Sequence, residues 1–190
     1  MNRIKTKYLG LELNSPVILS SSGLTSTLQR IKDAEMAGAG AVVLKSIFEE
    51  QIMNEVAHVD SYSDYPEAAD YVRTYVQENS LGLYLKLIED AKQQCSIPII
   101  ASINCRGIGE WVDYARVIEA AGADALELNI FLLPTDKETS SDEIERNYLN
   151  IIARVKEAIS IPLSVKLGAG FTNPLAIVRE IYYRNVKGVV

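Results

Sequence analysis

Five short apolar segments of this chain each end in a polar cluster, and stretches with helical periodicity separate them. The clusters lie at residues 20–23, 45–46, 102–104, 127–129 and 165–167. In a sheet of parallel β/α units the carboxyl ends of the strands meet on one rim, so residues at those ends can converge on one ligand. Amides, hydroxyls and two lysines on such a rim favour a flat, polar and partly anionic ligand.

The composition of the 190 residues is typical of a soluble globular domain, with 48% hydrophobic and 23% charged residues. A net charge of −6 without a basic run argues against nucleic acid and anionic membrane surfaces as partners. Apolar stretches fall short of the roughly 20 residues that cross a bilayer, and the first residues lack the apolar core of a secretion signal. Cys95 and Cys105 lack metal-type spacing, so we expect no metal site and a reducing, cytoplasmic location.

Period and turn signals predict an N-terminal hairpin followed by alternating strands and helices. The hairpin lies within residues 5–14, turns at Gly10, and is expected to plug the bottom of a barrel. Strands are predicted at residues 16–19, 41–44, 98–103, 125–128 and 162–165, with a sixth opening at 187–190. Helices are predicted at residues 27–37, 82–94, 111–120, 143–159 and 174–183, with Thr27 as the first N-cap. Trp111, Tyr182 and Tyr183 are expected to pack within their helices. Residues 47–80 break the rhythm and are predicted to form a long functional loop.

This alternation predicts an α/β fold, the (β/α)8 TIM barrel, represented by about its first five to six strands. Residues 1–190 would then form a single, incomplete barrel domain. Because the last residues are those of an apolar strand, we expect the chain to be part of a protein of roughly 300 residues. A doubly wound sheet is the alternative, although no Gly-x-Gly-x-x-Gly follows the first strand.

Motifs at the strand ends resemble those of the dihydroorotate dehydrogenase family of FMN-dependent barrel enzymes. The resemblance rests on segments in family order, at residues 14–17, 21–23, 38–46, 79–83, 101–104, 127–129 and 162–167. It implies FMN as cofactor and a cytoplasmic enzyme that oxidises dihydroorotate or a related CH–CH substrate, as in pyrimidine biosynthesis. The implied partner is a dihydropyrimidine-like small molecule, and a homodimer is a possible assembly.

The resemblance also implies roles for individual residues. Lys166 would sit near the flavin N1/O2 edge, where a fixed cation favours the reduced cofactor. The implied substrate-binding residues are Lys45, Asn79 and Asn129. The implied cofactor-binding residues are Ser20, Ser21, Ser22, Gly23, Lys45, Ser46, Asn104, Asn129 and Lys166. Phosphate-binding residues would lie beyond Val190.

The chain departs from the family where the catalytic base is expected. A cysteine or serine normally follows the Glu-Leu-Asn motif, but Leu132 and Leu133 occupy that place, and leucine cannot remove a proton. Loss of a general base typically costs 10²–10⁴-fold in rate. Cys105, Thr135, Ser140 and Ser141 are alternative candidates, each without an activating partner visible in the sequence. The catalytic residue is therefore unknown at this stage.

Two further functions stay open. The chain could be a flavin-binding relative without dihydroorotate activity, which the missing base favours. It could also be a barrel lyase that forms a Schiff base through Lys166, which requires a depressed lysine pKa. Structural roles are the plain alternative, with Lys45 and Lys166 reaching solvent and the rim asparagines capping turns.

Overall fold

The computed structural model describes residues 4–48, 66–104, 108–132, 137–168 and 170–190, and within these ranges all side chains except those of residues 48, 66–79 and 108–110. Expectations for Cys105, Leu133, Thr135 and the side chain of Asn79 lie outside this part. The described helices contain no segment long and apolar enough to cross a membrane. Nor do the described side chains form a cluster suited to a metal ion.

A parallel sheet forms the centre of the molecule, and the chain visits its strands in spatial order. The strands are β3 (Ile18–Leu19), β4 (Ala41–Val43), β5 (Ile47–Phe48), β6 (Ile99–Asn104), β7 (Ala125–Asn129), β8 (Leu163–Lys166) and β9 (Gly188–Val189). The sheet runs β3-β4-β6-β7-β8-β9, and β5 pairs with β6 beyond the end of β4. Because this order never reverses, the doubly wound alternative is wrong. The sheet is the curled, parallel portion of a (β/α)8 barrel, which confirms the predicted fold class.

The central strands β4, β6, β7 and β8 are buried on both faces up to their last residues, which explains their nearly continuous apolar sequences. The outer face packs against the helices and contributes Val42, Leu126 and Val165 to the larger hydrophobic cluster. The inner face forms a smaller cluster with a hairpin made of β1 (Thr6–Tyr8) and β2 (Leu11–Leu13). Leu9 and Leu13 of the hairpin pack there with Ala41, Val43, Ile100 and Ala125. The hairpin therefore covers the lower interior of the sheet and leaves the opposite rim free.

Three of the described helices begin at capping residues that the sequence supplies. The helices are α1 (Leu28–Met36), α2 (Pro66–Gln94), α3 (Ile108–Ala120), α4 (Ser141–Ala158) and α5 (Pro174–Tyr183). The predicted N-cap Thr27 is confirmed, because its hydroxyl accepts the Arg30 N–H at 3.4 Å. Ser140 and Asn173 cap α4 and α5 in the same way.

Two expectations about helices are wrong. Of the long loop predicted at residues 47–80, Ile47–Phe48 form β5, residues 66–80 belong to α2, and residues 49–65 lie outside the described part. Proline at the first position of α2 has the backbone torsion that a helix start needs. Tyr182 and Tyr183 were expected to pack, but they are 72% and 70% exposed on α5. Trp111, by contrast, is fully buried, as expected.

A repeated carboxylate contact joins α1 and α3, in each case to the turn that follows the next helix. Glu35, at the end of α1, accepts the Ser96 backbone N–H at 2.8 Å and the Ser96 hydroxyl at 2.5 Å. Glu119, at the end of α3, accepts the same two groups of Ser160 at the same distances. Both serines open a Ser-Ile-Pro turn that leads into a strand. These bonds lower the pKa of both carboxyl groups, against a smaller opposing effect of burial.

Gly40 occupies a position with no room for a side chain. Its N–H donates to the Val17 carbonyl at 2.8 Å, joining the turn before β4 to the chain entering β3. A Cβ at this position would lie 2.0 Å from the Ser15 carbonyl oxygen, a backbone atom that cannot rotate away. Glycine is therefore required here by close approach of two backbone segments.

We predict that Gly40→Ala lowers the free energy of unfolding by about 1–3 kcal/mol, the usual cost of overpacking. The matched control is Gly82→Ala in α2, where a Cβ meets no atom within 4 Å. That control should raise stability by about 0.5–1 kcal/mol, because alanine favours a helix interior. Urea unfolding of both variants measures the effect, and equal stability of the two would contradict the packing at Gly40.

We predict that Glu119→Gln loses stability in a pH-dependent way. A lowered native pKa contributes stability above the unfolded pKa, near 4.5, and this contribution disappears as the pH falls through the native pKa. The difference between native protein and variant should therefore be largest near neutral pH and shrink in acid. Ser160→Ala removes the hydroxyl bond to Glu119 and keeps the backbone N–H bond, so the loss in the double variant should be smaller than the sum of the two single losses in urea unfolding. Additive losses would show that the contact contributes nothing.

Candidate functional site

Three polar side chains end neighbouring strands on the rim opposite the hairpin. Asn104 is the last residue of β6, Asn129 of β7 and Lys166 of β8. Asn129 and Lys166 are direct partners in the parallel register, and Asn104 follows Ile103, the partner of Leu128. All three are partly exposed, whereas the strand residues before them are buried. The expected convergence of strand ends thus brings two amides and one ammonium group together.

The loop after β3 is fixed against the end of β4 by two hydrogen bonds, each donated by a backbone N–H group. The Lys45 N–H donates to the Thr25 carbonyl at 3.3 Å, and the Ser46 N–H donates to Ser21 Oγ at 2.9 Å. Ser22 caps a short 3₁₀ turn at Gly23–Thr25 through its hydroxyl, which accepts the Leu24 N–H. The loop of residues 20–23 and the exposed Lys45 side chain therefore lie at the same strand ends.

An extra residue at the end of β4 determines which side chain faces the interior. Val43 pairs with Ile100 and Ile47 with Ile103, so four residue steps on one strand match three on the other. This is a β-bulge, which re-aims side chains locally. As a result, the Ser46 side chain enters the interior and Lys45 stays exposed. Ser46 is buried, and its hydroxyl bonds to other serines.

A row of hydroxyl groups leads from the loop to a buried carboxyl group, and we call it the serine row. Ser21 Oγ lies 3.1 Å from Ser46 Oγ, which lies 2.7 Å from Ser102 Oγ. The Ser102 hydroxyl donates to Glu127 Oε1 at 3.4 Å. The row therefore connects β3, β4, β6 and β7 directly beneath the rim.

Tyr84 of α2 fills the gap that the bulge leaves in the hydrogen-bond ladder. Its hydroxyl accepts the Ser102 N–H at 2.8 Å and donates to the Ser102 carbonyl at 3.1 Å. These are the two backbone groups of Ser102 that a regular β4 would have paired. Burial raises the pKa of Tyr84, so the phenol stays protonated and able to donate.

Glu127 is the buried ionisable group of this site, with only 4% of its surface exposed. Burial raises the pKa of its carboxyl group, while attraction to Lys166 and the bond from Ser102 oppose that rise. Tyr8 of the hairpin reaches the same region, because its hydroxyl bonds to Ser164, the register partner of Glu127. Burial and the nearby Glu127 raise the pKa of Tyr8 as well.

A leucine side chain that packs against the hydrophobic core occupies the position of the missing base. Leu132 is half-buried against the larger cluster, and its N–H donates to the Tyr148 hydroxyl at 3.1 Å. Ser140 and Ser141, the alternative bases in the described part, are exposed, and Ser140 caps α4. None of these three is placed to remove a proton at the rim.

Sequence reasoning overlooked Glu127, Ser102, Ser164 and Tyr84 as parts of the site. Three of them, Ser102, Glu127 and Ser164, are polar residues inside apolar strands, and each lies two positions before the rim residue of its own strand. Because side chains alternate between the faces of a strand, that spacing places them on the rim residue's own face. This signal was available for the strands, whereas nothing in the helical sequence distinguishes Tyr84.

The rim is suited to holding a planar heterocycle. Amides offer both a donor and an acceptor to the edge of a ring, and ammonium groups stabilise negative charge on it. Glu127 below the rim limits the net positive charge around Lys166.

Comparisons with known proteins give a consistent relationship. No family model matches the chain. Over 198 aligned positions it is 28% identical to the dihydroorotate dehydrogenase B (NAD(+)) catalytic subunit of Methanocaldococcus jannaschii, covering 98% of this chain and 61% of that protein. The subunit of the same name from Methanocella arvoryzae is 33% identical over 170 positions, covering 86% and 53%. The chain thus spans between about half and three-fifths of the length of these relatives.

Solved structures support the fold independently. Phosphonopyruvate hydrolase in complex with oxalate and Mg²⁺ superimposes with a TM-score of 0.58 and 16% identity, over 92% of this chain and 57% of that one. At this identity the likeness shows a shared barrel fold and nothing about activity. The sequence matches, at 25–33% identity over most of the chain, confirm the resemblance carried by the strand-end motifs: the chain is distantly similar to the dihydroorotate dehydrogenases.

Proposed function

We propose that this protein is an FMN-dependent oxidoreductase of the dihydroorotate dehydrogenase type, acting on a carbon–carbon bond next to a carbonyl group. The observation that carries the proposal is the placement of Asn104, Asn129 and Lys166 on one face of three neighbouring strands, above the buried Glu127. The names of the relatives support the same reaction class. A cytoplasmic location, a dihydropyrimidine-like substrate and a homodimeric assembly stay predictions.

The donor set at the rim fits the isoalloxazine ring of FMN. Lys166 would hold the N1/O2 edge, and Asn104 would contact the ring from the β6 side. Residues 20–23 would lie against the ring face, with Lys45 and Asn129 between ring and substrate. When bound, FMN would accept a hydride from the substrate. We assign no residue to its phosphate.

Glu127 and the serine row would hold Lys166 in place. A lysine side chain has about 2 kcal/mol of rotamer entropy, so an ammonium group aimed at one edge of a ring needs a fixed counter-charge. Glu127 supplies that charge from the same face of the neighbouring strand, and Ser102 orients the carboxylate.

A second candidate is a flavin-binding relative that does not oxidise dihydroorotate. The observation in its favour is Leu132, which stands at the place of the usual base and is held by Tyr148. In this case the rim would still bind flavin, but a substrate that needs proton removal at that place would react slowly.

We predict that the natural full-length protein purifies with bound FMN and a yellow colour, and that Lys166→Met lowers its flavin content at least severalfold. The reason is loss of the cation at the ring edge. The control is Lys187→Met, which removes a lysine directly before β9. The backbone N–H of Lys187 donates to the Leu163 carbonyl at this point. Each protein is incubated with FMN and desalted to remove unbound flavin, and its absorbance spectrum then measures the bound flavin.

Three outcomes separate the candidates. Anaerobic bleaching by dihydroorotate supports the full proposal. A yellow protein that dihydroorotate does not bleach supports the flavin-binding relative. A colourless protein, or equal flavin loss in both lysine variants, contradicts flavin binding at this rim.

We predict that Glu127→Gln gains stability relative to the native protein as the pH rises. A native pKa raised above the unfolded value, near 4.5, gives stability that is present below that value and lost as the pH rises through the native pKa. The amide cannot ionise and therefore escapes this loss. Urea unfolding between pH 4 and 8 gives the slope, whose sign should be opposite to that of Glu119→Gln. Equal signs would contradict a buried, destabilised carboxyl group at Glu127.

A further inference from the structure

A cavity of ≈ 200 Å³ lies beside the rim, between the segments that follow β7 and β8 and the start of α4. Its apolar lining comes from Phe131, Leu132, Ile144, Tyr148 and Phe171, and Glu145 stands at its wall. None of these residues has a role in the flavin site proposed above. The cavity is therefore a separate feature of the carboxyl ends of the strands.

The cavity wall is held together by specific contacts. The rings of Tyr148 and Phe171 meet edge to face, with centroids 5.1 Å apart. The Tyr148 hydroxyl accepts the Leu132 N–H at 3.1 Å, which fixes the chain after β7 to α4. Phe131 is 63% exposed and lies over Gly168, where a Cβ would meet its ring at 3.7 Å. Aromatic rings thus form a shaped wall on two sides.

The cavity is within reach of a ligand on the rim. Phe131 follows Asn129 by two residues, and Gly168 follows Lys166 by two residues. Two residues span at most about 7 Å, and Asn129 and Lys166 are register partners. A molecule held between those two side chains could therefore extend a substituent into the cavity.

Size and charge define which substituent fits. An apolar cavity of about 150 Å³ in another protein binds benzene, so ≈ 200 Å³ accommodates one six-membered ring. The carboxylate of Glu145 at the wall disfavours an anionic group, because like charges repel.

We propose that this cavity binds one neutral six-membered ring or an alkyl group of that size, and that the group is a substituent of the substrate. The second half of this inference rests on the proposed function. It narrows the substrate to a compound with a reducible or oxidisable CH–CH bond and an uncharged apolar substituent, which dihydroorotate lacks. The segment that replaces the family's catalytic loop would then serve substrate selection.

The test is ligand-observed NMR on the natural full-length protein, with benzyl alcohol as the neutral probe and benzoate as its anionic counterpart. Benzyl alcohol should bind, with intermolecular NOEs to the rings of Tyr148 and Phe171. Benzoate should bind at least about tenfold more weakly, a factor that corresponds to 1.4 kcal/mol. The inference would be overturned if both probes bound only weakly, or if benzyl alcohol and benzoate bound with equal affinity.

Variants locate the binding. Ile144→Trp fills the cavity and should weaken benzyl alcohol about tenfold or more; the NOEs of the unaltered protein decide the question if that variant does not fold. Glu145→Gln should strengthen benzoate binding severalfold. Glu157→Gln, on the same helix and about 18 Å away along its axis, should not. Benzoate binding that is strengthened equally by both glutamine variants would overturn the role of Glu145.

The colour of the same samples keeps the two proposals apart. A yellow protein that does not bind benzyl alcohol overturns the cavity inference and leaves flavin binding intact. A colourless protein that binds benzyl alcohol overturns the flavin proposal, and with it the assignment of the ring to a substrate of a flavin enzyme.

Discussion

The arrangement of the strand ends at the rim depends on the interactions of one buried group, the carboxyl group of Glu127. A carboxylate out of water is costly unless it is paired and hydrogen-bonded. Ser102 on one neighbouring strand donates a hydrogen bond to this carboxyl group and Lys166 on the other attracts it, but burial outweighs both and the pKa of Glu127 stays raised. Because these groups belong to three different strands, their interactions couple the positions of three strand ends. The rim is thus positioned by an electrostatic requirement as well as by packing.

An irregularity in the sheet connects that requirement to the loop after β3. The bulge at the end of β4 places Ser46 in the interior and exposes two backbone groups of Ser102, which the Tyr84 hydroxyl satisfies from outside. Ser46 then joins Ser21 to Ser102. A regular strand would have turned Ser46 away from the interior and broken the serine row. The bulge is therefore part of the site, as bulges near binding sites often are.

The order of elements could be predicted from the sequence because the central strands are buried on both faces and α1, α4 and α5 begin at capping residues. The limits of α5 were predicted without error, since proline and asparagine mark its start. The start of α2 was not, because its polar and tyrosine-rich sequence lacks a clear apolar face. Lys45 was correctly placed at a strand end, but its exposure follows from an extra residue that no local pattern indicates. Glu127 was recognised only as part of the Glu-Leu-Asn motif. Its position as a charged residue inside an apolar strand would have indicated a site residue.

The central claim is that the carboxyl rim of this sheet binds a flavin ring at Lys166. A crystal structure of the natural full-length protein grown with FMN tests it most directly. We expect ring density above the strand ends, with Lys166 Nζ within hydrogen-bond distance, about 2.7–3.2 Å, of the N1/O2 edge. Ring density at the hairpin end of the sheet, or at the rim but out of reach of Lys166, would contradict it.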